Sequence, residues 1–233
     1  MRTNLIFIAI ALACFEAIGQ VDVTIKADAN DTNILRTYKL PAGTNQPTAS
    51  LVLRDTDIGQ VLGLYAQFTD RTVLRSPRIQ RVSLTIETSA TNRTELAHLI
   101  EKALAEKEIV TIPDGDKFVM VVPQAEASTV KPRSAEISAL PPNSPQRQLI
   151  PLGTINFNAD VREVAAIYAG LLGGELDRSE STLLYGPQIR LRTQTPLNKE
   201  EVLYALETLF QWQGIKLVPT GTNLFRAVSI REK

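Results

Sequence analysis

The chain is short of the residues that chemistry usually needs. Its 233 residues include one cysteine, one histidine and one tryptophan, and aromatics make up 6%. So little His and Cys excludes the His- and Cys-rich metal sites, and no other metal set is expected. Neither sign of charge is in excess: 25 basic residues face 25 acidic ones, so the basic footprint of a nucleic-acid-binding protein is missing. No apolar run approaches the roughly 20 residues a membrane-crossing helix needs. No set of nucleophile, base and orienting group can be assembled. The chain is therefore expected to be no enzyme, with no cofactor, no nucleic acid and no small-molecule substrate.

What the first residues do carry is an export signal. Arg2 gives a positive start, Leu5 to Ala13 a short apolar run, and Ala17-Ile18-Gly19 small residues spaced for cleavage before Gln20. Residues 1–19 are thus expected to be a signal peptide and the mature chain to be periplasmic. Cys14, in Ala11-Leu12-Ala13-Cys14, offers the alternative of lipidation and outer-membrane association, although Ala11 stands where a lipoprotein box usually has Leu. Cleavage after Gly19 removes Cys14, so the mature chain carries no disulfide.

The rest of the chain says nearly the same thing twice. Asp57, Val61 and Tyr65 lead a helical pattern that returns 103 positions later at Asp160, Val164 and Tyr168. Leu96, Ile109, Pro113 and Gly115 answer to Val202, Ile215, Pro219 and Gly221, now 106 positions on. About three residues are therefore inserted near Gly173 to Tyr185 in the second copy. Each copy reads β-α-β-α-β-β, with a further strand at Thr72 to Leu74 in the first. Alternation at Val82, Leu84 and Ile86, and at Ile189, Leu191 and Thr193, marks half-buried strands. Ile58, Val61, Leu62, Tyr65 and Phe68 share one helical face. The expected class is α+β: two small KH-like units, each one sheet with two helices on one face. The boundaries follow composition. Residues 20–50 are a polar lead-in, 51–123 the first unit, 124–149 a flexible Pro-rich linker, and 150–233 the second unit.

Sharper readings of single motifs mostly yield to plain ones. Gly170-Leu171-Leu172-Gly173 matches the phosphate-holding loop of KH domains, but its middle residues are leucines, and a helix terminus accounts for it better. Asp55/Asp57 and Asp114/Asp116 lack the oxygen density of a calcium site and suit a helix cap and a hairpin turn. His98 has no nucleophile near it. Five residues remain as candidates for partner binding. Val52, Ile155 and Phe157 lie on the entering strands, whose edges offer unpaired N–H and C=O groups to a partner's strand. Arg190 and Arg192 project from one strand face, opposite Ile189 and Leu191, and suit an acidic partner.

Three stretches carry a family resemblance: Ile155-Asn156-Phe157-Asn158-Ala159-Asp160-Val161-Arg162-Glu163-Val164, then Gln188 to Glu201, then Gln213-Gly214-Ile215-Lys216-Leu217-Val218-Pro219. Each resembles the N-terminal periplasmic domains of bacterial secretins, above all the first such domain of the type II secretion secretin. Leu53-Arg54-Asp55-Thr56-Asp57-Ile58 and Ser76-Pro77-Arg78-Ile79 are a looser match in the first unit. The resemblance implies protein–protein assembly in a secretin-type export system, with envelope secretion proteins as partners and self-association into a ring. The secretin barrel has no counterpart in these residues, so an adaptor or assembly element is expected rather than a channel. The competing expectation is a periplasmic ligand- or signal-sensing module, like the short domain ahead of some outer-membrane receptors.

Overall fold

The structure is a computed structural model. It describes residues 49–79, 81–90, 92–134, 149–150, 155–177 and 188–230. The expected signal peptide, Cys14, nearly all of the lead-in and most of the linker lie outside them. The first unit runs β1 (Ala49–Asp57), α1 (Ile58–Thr69), β2 (Thr72–Arg75), β3 (Ser83–Ala90), α2 (Arg93–Ala105), β4 (Ile109–Asp114) and β5 (Phe118–Pro123). The second runs β6 (Leu149–Ile150), β7 (Asn156–Ala159), α3 (Val161–Leu171), β8 (Glu175–Leu176), β9 (Ile189–Arg192), β10 (Leu197–Asn198), α4 (Lys199–Trp212), β11 (Ile215–Gly221) and β12 (Leu224–Ser229).

The helices α1 to α4 each begin on a side-chain cap. Asp57 accepts from the Gly59 N–H, Asn92 from Glu95, Asp160 from Glu163 and Asn198 from Glu201. Each such cap is worth about 1 kcal/mol. Between the helices of each unit a tyrosine bonds a glutamate: Tyr65 Oη donates to Glu101 and Tyr168 Oη to Glu207, both at 2.6 Å. Burial first, and then the carboxylate bond, push both phenols well above their usual pKa. The repeat thus extends from pattern to matching half-buried bonds.

The fold is α+β, but where the alternation predicts one sheet per unit, the described residues form two in the first unit and three in the second, the third being the short pair β6–β10. In the first, β1 pairs antiparallel with β3, while β2, β5 and β4 form a separate three-stranded sheet with β2 parallel to β5. In the second, β7 pairs with β9, and β8, β12 and β11 form the three-stranded sheet. The short parallel strands β2 and β8 make the difference. Each follows the first helix directly and crosses to the final hairpin. A bulge between Leu53 and Thr56, with Asp55 at φ 48°, lets β1 turn into α1.

The two units share a core. On β5, Val119 and Val121 face the first unit's own helices, beside Ile58, Val61, Ile100 and Leu104. Phe118 and Met120 point the other way, with Leu74, into the cluster of the second unit. A strand buried on both faces must be apolar throughout, and Phe118-Val119-Met120-Val121-Val122 is.

Part of the stretch that composition marks as linker is held in place. Gln124–Glu126 form a 3-10 turn, Val130 packs on the shared core, and the buried Ser134 donates its N–H to Asp114 Oδ1 at 2.9 Å. Farther on, β6 pairs antiparallel with β10. Gly115, at φ 64°, lies beneath Ser134, and a Cβ there would collide with the Ser134 hydroxyl. Its repeat counterpart Gly221 has nothing within 4 Å of such a Cβ. Gly115→Ala is therefore expected to cost about 1–3 kcal/mol, and Gly221→Ala less than about 1 kcal/mol. Urea midpoints of the two variants check this; equal shifts would refute it.

Candidate interaction surfaces

The seam between the units fixes how every other surface is presented. Its centre is Asp114, at the end of β4 and 1% exposed, which accepts from the hydroxyl of Tyr204 on α4. The Tyr204 oxygen also receives the Arg133 N–H at 3.4 Å, and its ring meets Phe118 edge-on with centroids 5.6 Å apart. Burial, then Asp114, push the Tyr204 phenol well above its ordinary pKa. At one flank, Lys117 Nζ donates to Glu201 Oε2 at 2.8 Å and to the Pro196 carbonyl at 3.2 Å. Glu201 is also the capping-box residue of α4, so the first unit's hairpin is tied to the start of the second unit's helix. At the other flank, Gln194 N–H donates to Thr72 Oγ1 at 3.2 Å.

The second unit's three-stranded sheet has the same outward face, and it is built differently. Repeat and register together place Asp177 and Arg226 where the first unit has Leu74 opposite Met120. Asp177 Oδ2 accepts from Arg226 Nε and Nη2 at 3.1 and 3.0 Å. An apolar cross-strand pair marks the docked face. The second unit has a partly buried ion pair at the same place.

The expected strand edges fall into two groups. Val52 lies in β1 opposite Glu87, and Phe157 in β7 opposite Leu191. Each of these strands has a single partner strand among the described residues, and a strand edge of that kind offers N–H and C=O groups to an added strand. The Val52 side chain is itself buried, and Phe157 packs on the shared core, so only their backbones are on offer. Ile155 precedes β7, and its carbonyl already accepts from the Thr193 N–H at 3.3 Å. Arg190 and Arg192 are exposed on β9 while Ile189 and Leu191 are buried, the alternation the sequence predicts. Arg190 Nε donates to Asn158 Oδ1 at 3.0 Å. Sequence reasoning missed Arg75, at the end of β2, which comes close to Arg190 over the start of α1.

Gly170 lies inside α3, and Gly173 follows its end at φ 80°, the backbone of a helix terminus. No helix among the described residues is long and apolar enough to cross a membrane. His98, beside Glu101, is exposed.

No family model matches the chain, and no curated protein matches it either. Solved structures do. The likeness is to the N-terminal domains of type II secretins. The N0 domain of the type II secretin from enterotoxigenic Escherichia coli matches at 17% identity and a TM-score of 0.30, over 32% of this chain and 91% of that one. A dimeric cysteine mutant of the N-terminal domain of the secretin XcpQ from Pseudomonas aeruginosa matches at 15% identity and a TM-score of 0.29, over 70% and 95%. A further XcpQ structure, XcpQN012, matches at 14% identity and a TM-score of 0.27, over 71% and 99%. Scores this low transfer no function, so the case for a role rests on the chain's own residues.

Proposed function

We propose that the chain is a non-enzymatic, periplasmic protein–protein interaction and assembly module of a secretin-type export system. Support comes first from the motifs of residues 155–164, 188–201 and 213–219. The observation that carries the reading is the geometry of the two units. A shared core locks them together, and that rigid pair presents two strand edges, on β1 and β7, at fixed places. A preorganised edge can take an added strand from a partner without first ordering itself. Envelope secretion proteins and further copies of the chain, arranged in a ring, are the partners this favours.

The test is crosslinked capture from envelope extracts, with size-exclusion chromatography of the mature chain. The chain is expected to copurify with envelope secretion components. Phe157→Pro, which blocks the β7 edge, and Asn156→Lys, a milder charge on the same exposed edge, should each reduce capture about tenfold or more. Circular dichroism identifies variants that keep the fold. Undiminished capture by a folded β7 variant, together with a monomeric chain that binds one small regulator, would favour the sensing module instead.

A further inference from the structure

We propose that Arg75 and Arg190 form a carboxylate-binding site at the seam, and that it takes an acidic side chain of a protein partner. The proposal rests on the assembly reading above and names the chemistry of one contact.

Arg75 closes β2 in the first unit, and Arg190 lies on β9 in the second. The two arginines converge on Gly59, in the first turn of α1. A Cβ on Gly59 would lie 2.8 Å from Asp57 Oδ1, 3.6 Å from Arg190 Nη1 and 3.8 Å from Arg75 Nη1. Arg75 spends Nη2 on the Ile79 carbonyl at 3.3 Å, and Arg190 spends Nε on Asn158. Neither guanidinium has a carboxylate within 4.0 Å among the described residues. Among the described residues the acid beside Arg75 is Asp57, whose Oδ1 accepts the Gly59 N–H at 2.7 Å. Two like charges held this close repel unless an anion lies between them.

The repeat shows how the two units differ here. At the matching start of α3, the second unit has Arg162 where the first has Gly59, and Glu163 where it has Gln60. The first turn of α3 therefore carries its own acid, and the first turn of α1 carries none. The first unit thus has no acid in that turn beyond its cap Asp57, and no side chain at Gly59. Charge then selects the ligand class. Two guanidiniums against one Asp57 leave a single positive charge beside the positive end of α1, which matches one carboxylate better than a dianionic phosphate. Arg190 is exposed, so the site is reachable from outside.

The probe is a labelled hexapeptide of alternating alanine and glutamate, titrated into the full mature chain, with its glutamine counterpart as control. The glutamate peptide should bind and the glutamine peptide should not. Arg75→Gln and Arg190→Gln should each weaken binding about tenfold or more, the loss typical of a broken charge-assisted pair. Gln60→Glu, which introduces the acid of the second unit, should weaken it comparably without perturbing the fold. Lys216→Gln, at an exposed charge on β11 outside the site, should stay within about twofold. Binding retained in folded Arg75→Gln and Arg190→Gln chains would overturn the site. Competition by inorganic phosphate stronger than by acetate would overturn the carboxylate assignment. If peptide binding behaves as expected but no envelope component is captured, the assembly reading fails and the site stands. If capture succeeds and is indifferent to both arginines, the site fails and the assembly reading stands.

Discussion

Replacing Leu74 by Asp and Met120 by Arg in one chain should part the two units while leaving each folded. The double variant copies onto the first unit's sheet the pair that the second unit carries at the same lattice positions, Asp177 with Arg226. Leu74 and Met120 are both buried in the shared core. Burial of such side chains contributes about 1.5–3 kcal/mol each, so roughly 3–6 kcal/mol of docking is lost. Keeping the seam closed would also dehydrate an ion pair, at several kcal/mol per ion. If the units separate, the new pair stays solvated and costs almost nothing, and the first unit keeps its other face packed through Val119 and Val121. The urea transition, expected to be single in the parent, should split in two, and the radius of gyration from small-angle scattering should rise. One transition with an unchanged radius would show that the seam does not rest on this pair.

That experiment depends on a distinction the sequence carries in plain sight. Helix starts at Asp57 and Asp160, the strands at Leu84 and Ile189, and the hairpin at Gly115 were all legible, because caps, alternation and turn residues are local signals. The division of each unit into separate sheets was not. It depends on β2 and β8, short parallel strands whose partners lie more than forty residues away, and local period carries no information about such pairing. The docking of the units was legible in principle. Phe118 to Val122 is apolar at every position, whereas Leu224 to Val228 is interrupted by Arg226, and only the former needs two buried faces. Composition concealed the same fact, because a Pro- and Ser-containing segment reads as a tether even when Val130 and Ser134 are held. Of the surface residues, Arg190 and Arg192 follow from alternation alone. Arg75 does not, because its nearness to Arg190 arises only when the two units dock.

The polar centre of that docked seam should prove strongly coupled. Asp114→Ala removes one acceptor and orphans two buried donors, the Tyr204 hydroxyl and the Ser134 N–H. At about 1–3 kcal/mol for each unsatisfied group, a loss of roughly 2–6 kcal/mol is expected. Tyr204→Phe keeps the edge-on contact with Phe118 but leaves the Asp114 carboxylate buried with the Ser134 N–H as its remaining direct donor among the described residues. The double variant Asp114→Ala/Tyr204→Phe removes the bonded pair together and leaves the Ser134 N–H and the more weakly held Arg133 N–H to be satisfied. It should therefore be no less stable than Asp114→Ala alone, with a coupling energy of about 1–3 kcal/mol in a double-mutant cycle read by urea unfolding. Because Asp114 belongs to β4 and Tyr204 to α4, that coupling can exist only while the units are docked. In a Leu74→Asp/Met120→Arg background it should fall to near zero. Additive losses in the parent background would mean that Tyr204 and Asp114 are neighbours without being partners. A coupling that survives undocking would place the bond somewhere other than the seam.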